Sequence, residues 1–289
     1  MTASPTTLLA FYALAIAISS IIGGLLPNWL RMTHTRTQLV MSFVSGFLLA
    51  IAVYHLVPHS LIFVGTPDAA DVVAWWLMLG LVGMFLLLRL FQFHQHDFSL
   101  QGSDGSGDKP VHGLSWMGIA LGLSLHTLID GVALGAAVLG ASSSATVGLL
   151  GFGVFLAIVL HKPLDAMSLT MVMAAGGWGR SARFSVNVLF AMLCPLGALL
   201  FFFGVGALEV DSEPIVGSTL AFAAGAFICI ALSDLLPEVH FHSHDRGKLV
   251  LALFAGMALA WSIGAVEPEG SHRAPPDRVD YHQVEDGHF

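Results

Sequence analysis

Charged residues are scarce in this chain. Aspartate, glutamate, lysine and arginine make up 10% of its 289 residues, whereas soluble domains hold roughly 25%. With a hydrophobic fraction of 56%, the chain is neither a soluble enzyme nor a disordered protein. A formal net charge of −8 also excludes nucleic acid as a partner, because a phosphate backbone attracts basic surfaces. The composition predicts an integral protein of the lipid bilayer.

Cysteine is even rarer, with two residues, and long apolar runs take up most of the chain. Cys194 and Cys229 both lie inside apolar runs, so no disulfide framework is predicted. Continuous runs near 20 residues favour membrane helices over the short alternating strands of a barrel. We predict an all-α integral membrane protein with eight transmembrane helices, called spans one to eight, at 8–27, 38–63, 72–93, 114–139, 147–174, 184–207, 215–239 and 248–266.

Lysine and arginine are placed asymmetrically between these spans. The connections after spans one, three, five and seven and their flanks carry eight basic residues, whereas the connections after spans two, four and six carry none. Because basic connections stay in the cytoplasm, both termini are predicted to be extracytoplasmic. Residues 1–266 then form one eight-span domain with a histidine-bearing cytoplasmic loop at about 94–112, and residues 267–289 form a flexible polar extracytoplasmic tail.

Spans two and seven resemble each other in sequence. GFLLAIAVYHLVPH in span two and GAFICIALSDLLPE in span seven each have a glycine twelve residues before a proline. His55 and His59 of span two align with Asp234 and Glu238 of span seven. Since the two spans cross the membrane in opposite directions, this similarity predicts an inverted-repeat bundle, as in many secondary transporters.

Ionisable side chains concentrate in spans four and five. His126 and Asp130 are four residues apart, as are His161 and Asp165, which places each pair on one helix face. Such residues are costly inside a membrane and commonly mark ion paths, proton relays or catalytic sites. Two imidazoles and two carboxylates suit a divalent cation such as zinc, with iron, manganese, cadmium and nickel as competitors. The alternative to metal binding is that each histidine and aspartate makes an ordinary hydrogen bond between helices.

A lysine and several further histidines surround this set. Lys162 follows His161 directly, and a lysine at a metal site points away, loses its proton or pairs with a carboxylate. We predict that Lys162 forms an ion pair with Asp130 or Asp165 and fills the space of a second metal. The alternative is a lysine that lines a wet cavity and has no role at the metal site. Three histidines of HFHSHD on the predicted inner side are auxiliary candidates, although a plain polar loop explains them equally well: His240, His242 and His244.

These motifs resemble those of a known family. HTLIDGVALG in span four and HKPLDA in span five resemble the paired signatures of the ZIP family of zinc and iron permeases, and HLVPH and SDLLPE match further family positions. The resemblance covers nearly the whole chain except the tail. It implies a transporter rather than an enzyme, which moves divalent metal into the cytoplasm with zinc as its substrate and without an organic cofactor. The implied primary metal site is His126, Asp130, His161 and Asp165, with Asp234 as the acidic position of span seven.

Departures from the family pattern bear on the number of metals. Many members have Asn after the first histidine and an acidic residue after the second, where this chain has Thr127 and Lys162. A single metal is therefore expected. Some bacterial members add a methionine ligand in span two, but none lies between residues 42 and 77. His55 or His59 is the candidate substitute unless that ligand is absent.

Two other functions also fit the residues. An intramembrane zinc hydrolase would bind the metal through three protein ligands and activate a water, and a metal sensor would work through the cytoplasmic histidines. The polar pairs at opposite ends of spans two and seven favour a transport path over a hydrolase. We place the protein in the cell membrane, which is the inner membrane in a Gram-negative bacterium, and leave a homodimer open.

Overall fold

The computed structural model describes residues 4–29, 34–92, 115–143, 150–208, 210–232 and 246–266. All regular elements in these ranges are helices, and eight helical segments are long and apolar enough to cross a membrane. The prediction of an all-α protein with eight spans is therefore confirmed.

The bounds of the spans follow the apolar runs closely. Spans one, three, four and five are the single helices Pro5–Trp29, Ala69–Gln92, Ser115–Ser143 and Leu150–Ala175. Spans seven and eight are Glu213–Ile230 and Arg246–Val266. Three helices begin before the predicted spans and include basic residues from the outside or the edge of those spans. Long basic side chains can reach the polar interface from a helix end. These residues are Arg36, Arg180, Arg183, Arg246 and Lys248.

Span two changes its hydrogen-bond pattern halfway along. The α-helix His34–Ile51 passes into the π-helical turn Ala52–Leu56, and the α-helix resumes as Val57–Val64. In the turn the Val57 N–H donates to the Ala52 carbonyl, five residues earlier. Pro58 follows directly and has no N–H for an α-helical bond, so the wider turn accommodates it. His55 lies inside this turn.

Span six has a one-residue turn at Met192 between two helical parts. Its parts are Arg180–Ala191 and Leu193–Gly206, and the Met192 N–H is shared between the carbonyls of Val188 and Leu189. Pro195 lies in the first turn of the second part, where its missing N–H and its ring interrupt the α-helical bonding to Ala191. The two parts together still make up one membrane span, Arg180–Gly206, as the sequence predicts.

Glycines bring span two against span eight. A Cβ atom added at Gly46 would lie 2.0 Å from the carbonyl oxygen of Leu253, and one at Gly256 would lie 2.0 Å from that of Phe43. Only glycine permits backbones to approach this closely. Spans two and eight therefore pack as a tight pair.

Span seven packs on span three through an equivalent contact. A Cβ atom at Gly225 would lie 2.0 Å from the Leu77 oxygen, and one at Gly80 would lie 2.0 Å from the Phe222 oxygen. Gly225 is the residue that the sequence repeat aligns with Gly46. The two glycines that the sequence repeat aligns thus make equivalent backbone contacts, one with span eight and the other with span three.

The remaining spans pack in a similar way. In spans four and six, a Cβ atom at Gly131 would lie 2.1 Å from the Cys194 oxygen, and in spans one and five, one at Gly23 would lie 2.3 Å from the Cα of Pro163. Spans one, four, five and six form one packed group, and spans two, three, seven and eight form another. A shared apolar core that includes Phe47, Leu134 and Phe227 joins the two groups.

Candidate metal centre

The polar pairs of spans four and five meet in the interior of the protein. His126, Asp130 and His161 are at most 2% exposed, and the Asp165 side chain is 13% exposed. One potential ligand atom from each of the four residues lies within 4.8 Å of the others. The structure thus brings together the four residues that the spacing in the two spans selected, and their role as metal ligands stays a prediction.

The distances suit a tetrahedral ion. His126 Nε2 lies 3.2 Å from Asp165 Oδ2 and 3.4 Å from Asp130 Oδ2. His161 Nε2 lies 3.2 Å from Asp130 Oδ2 and 3.9 Å from Asp165 Oδ2. Zinc bonds of about 2.0–2.2 Å place neighbouring tetrahedral ligand atoms roughly 3.4 Å apart. These four His–Asp distances are close to that value, and one ligand atom from each residue lies within 4.8 Å of the others.

The ring of His161 is oriented for a ligand role. Its Nδ1 lies 2.7 Å from the carbonyl oxygen of Ala157, and since a carbonyl only accepts, the proton is on Nδ1. In the neutral ring Nε2 then presents a lone pair toward Asp130 Oδ2, 3.2 Å away. Metal-binding histidines are commonly fixed by such a bond from the other ring nitrogen. His161 Nε2 and Asp130 Oδ2 would repel each other through their lone pairs, and a cation bound to both would stabilise this arrangement.

Several polar atoms at the centre lack hydrogen-bond partners. Both ring nitrogens of His126, Asp130 Oδ1 and Thr127 Oγ1 are buried without one. Leaving such groups unsatisfied costs roughly 1–3 kcal/mol each. A bound cation would satisfy His126 Nε2, so this part of the donor set fits a metal ion.

Span one supports the irregular part of span five. Pro163 has no N–H to bond the Val159 carbonyl, and Ser19 of span one donates its hydroxyl to that oxygen at 3.0 Å. Gly23, one turn further along span one, leaves room for the Pro163 backbone. The sequence alone does not single out Ser19, because one serine in an apolar run forms no pattern.

Lys162 points into the centre. Its ammonium donates to Asp130 Oδ2 and, at 3.2 Å, to Asp165 Oδ2, and the residue is 1% exposed. The Lys162 Nζ also lies 5.8 Å from the centre of the Phe190 ring, a distance typical of a cation–π contact. The structure therefore contains the expected ion pair, and it involves both carboxylates.

His55 and His59 are buried in span two, outside the four-residue cluster. His55 Nε2 donates to the Ala260 carbonyl at 2.9 Å, and His59 Nδ1 donates to the His55 carbonyl at 2.6 Å. Within the described ranges, groups of three or more ligand-type residues are confined to the central four. A role of His55 and His59 in the path stays a prediction.

The other predicted residues lie outside the described part of the chain. They are Asp234 and Glu238 of span seven, the inner histidines His240, His242 and His244, the loop at about 94–112 and the tail at 267–289.

The helical fold and the buried His/Asp cluster together define the class of this protein. This is a multi-pass helical membrane protein with a buried set of two histidines and two aspartates between two of its spans. A sequence profile described as the ZIP zinc transporter family matches residues 92–264, more than half of the chain. The chain belongs to the ZIP zinc transporter family, and the resemblance drawn from its motifs is confirmed.

Individual relatives agree with this assignment. The chain is 31% identical over 244 residues to the zinc transporter ZIPB of Bordetella bronchiseptica, covering 82% of this chain and 74% of the relative. It is 30% identical over 197 residues to the zinc transporter GufA of Myxococcus xanthus, covering 67% and 70%. It is 33% identical over 181 residues to the zinc transporter ZIP9-B of Xenopus laevis, covering 59% of this chain and only 55% of that relative, so the match spans about half of that protein.

Proposed function

We propose that this protein carries divalent transition metal ions, above all zinc, through the membrane into the cytoplasm. The observation that carries the proposal is the buried convergence of His126, Asp130, His161 and Asp165 within 4.8 Å. Family membership supports it, since the relatives reported above are named zinc transporters. Iron, manganese, cadmium and nickel remain competing ions, because the same ligand set accepts them.

The proposed path runs through the centre from one face to the other. Ions enter past His55 and His59, bind between spans four and five, and leave past Asp234 and Glu238 toward the inner histidines. The inward direction rests on the predicted orientation, with the basic connections in the cytoplasm.

Alternating access is the proposed mode of movement. The bundle divides into two packed groups of four spans each, and corresponding glycine contacts join spans two and eight and spans seven and three. A repeated architecture of this kind supports two related conformations, each open to one side.

Transport fits the centre better than hydrolysis does. A catalytic zinc keeps one coordination position open for water, with three protein ligands. Here four protein side chains offer ligand atoms within 4.8 Å of one another, one more than such a catalytic site uses. The family is one of transporters, which also argues against the intramembrane hydrolase.

One metal is proposed for the centre. The Lys162 ammonium occupies the space beside Asp130 and Asp165, where a second cation would meet a fixed positive charge. The lysine therefore supplies the positive charge that a second ion would bring.

The test is zinc entry into proteoliposomes that contain a trapped fluorescent indicator. We expect entry with the wild-type chain, and entry at the rate of empty vesicles with His161→Ala or Asp165→Ala. His282→Ala, a histidine change in the predicted tail, is the matched control and should transport normally. Wild-type entry in both centre variants would overturn the proposed site, and no entry with folded wild-type protein would overturn the proposed function.

A further inference from the structure

A second polar site shares no residue with the metal centre. It is a pocket between spans one, five and six, and the residues that shape it are Gly24, Thr170, Arg180, Arg183, Phe184 and Asn187. Two guanidinium groups thus border one concave site at the end of the bundle that the sequence predicts to be cytoplasmic.

A tight turn brings the two arginines there. Gly177 has φ 79°, the Trp178 N–H donates to the Met173 carbonyl at 3.0 Å, and the Gly177 N–H donates to the Ala174 carbonyl at 3.0 Å. This is the Schellman arrangement that ends a helix. Gly179 then starts span six in an extended conformation without a side-chain cap.

The positive charge of the pocket is not neutralised from within the described chain. Neither Arg180 nor Arg183 has an ion pair with a carboxylate of the described residues. Arg183 Nε is buried without a hydrogen-bond partner. The uncapped start of the helix Arg180–Ala191 adds the positive end of its dipole. All three features favour an anionic ligand.

Asn187 adds an acceptor to these donors. The residue is 1% exposed, and its Nδ2 donates to the Ile21 carbonyl at 3.0 Å. Its Oδ1 is buried without a partner. The amide fits because Gly24 has no side chain, since a Cβ atom there would lie 2.3 Å from Asn187 Nδ2. The ligand should therefore carry a hydrogen-bond donor beside its negative charge.

An amphipathic ligand suits the surroundings. Phe184 is 47% exposed and Trp178 of the preceding turn is 39% exposed, and aromatic side chains are enriched at the level of lipid headgroups. We propose that this pocket binds a phosphate-bearing anion, supplied by a phospholipid headgroup that also has a hydroxyl or ammonium donor. The phosphate contacts Arg180 and Arg183, the headgroup donor contacts Asn187 Oδ1, and an acyl chain runs along Phe184.

The experiment measures phosphatidylglycerol retained on the detergent-purified full chain by native mass spectrometry. Arg180→Gln/Arg183→Gln should bind it roughly thirtyfold more weakly, from the usual contribution of two basic residues near a membrane surface. Arg36→Gln/Arg246→Gln removes the same charge from two exposed arginines outside the pocket, and it should retain the lipid. Equal loss in both double variants, or no loss in either, would overturn the proposal.

Two further arms identify the ligand and check the fold. If inorganic phosphate displaces the lipid from the wild type and binds with the same dependence on Arg180 and Arg183, the pocket is supported and free phosphate is its source. If only phosphatidylglycerol binds, the headgroup is the source. Arg180→Lys/Arg183→Lys keeps the charge, and partial retention there together with an unchanged size-exclusion profile separates lost binding from misfolding. Complete loss in a well-folded lysine variant would contradict the phosphate contact.

Discussion

Replacing Lys162 with leucine should tighten zinc binding. Its Nζ lies 3.2 Å from Asp165 Oδ2, and a zinc ion bound to that oxygen sits about 2 Å from it. The ion and the ammonium are then no more than about 5 Å apart. Their repulsion ranges from about 2 kcal/mol in bulk water to about 7 kcal/mol at an effective dielectric constant of 20. Even the lower figure corresponds to a Kd more than tenfold smaller, since about 1.4 kcal/mol is a factor of ten.

The measurement is calorimetric titration of the purified protein with zinc. Lys248→Leu, which removes a lysine from the exposed start of span eight, is the control and should leave the Kd unchanged. Without zinc the Lys162→Leu variant should unfold more easily, because losing one partner of a buried ion pair costs about 3–5 kcal/mol. Zinc should therefore stabilise it more than it stabilises the wild type. An unchanged or larger Kd in folded Lys162→Leu protein would refute the view that the lysine opposes the ion.

Two more predictions concern Lys162 and the packing of spans four and six. Lys162→Glu should allow a second metal to bind, which elemental analysis would show as a higher metal-to-protein ratio. An unchanged ratio would contradict the view that the lysine replaces a second ion. Gly131→Ala should lower stability by about 1–3 kcal/mol, because the new Cβ would lie 2.1 Å from the Cys194 oxygen. Gly83→Ala is its control, since a Cβ there has no neighbour within 4 Å. Equal thermal unfolding of the two glycine variants would contradict the close packing of spans four and six.

The eight spans and the central cluster were predictable because each follows from a local pattern. Apolar runs of membrane length define the helices, and the spacing of four residues places His126 beside Asp130 and His161 beside Asp165. Convergence of the two pairs then required only that spans four and five pack face to face.

The supporting contacts were not predictable in this way. Ser19 bonds the carbonyl freed by Pro163, and Asn187 bonds the Ile21 carbonyl of span one. Each is a single polar residue in an apolar run, and its partner is far away in sequence. The pairing of span two with span eight was equally hidden, because small residues occur on several helix faces and only tertiary packing selects among them.

The position of Lys162 has an electrical consequence for the proposed cycle. With both imidazoles neutral, two carboxylates and one ammonium give the empty centre a formal charge of −1, and a divalent ion changes it to +1. If the centre moves across the membrane field, a potential that is negative inside favours both the inward step with the ion and the outward return without it. The contribution is about 2.3 kcal/mol per charge for 100 mV across the full field. A neutral residue at position 162 would make the loaded centre uncharged, so voltage would then act on the return step alone.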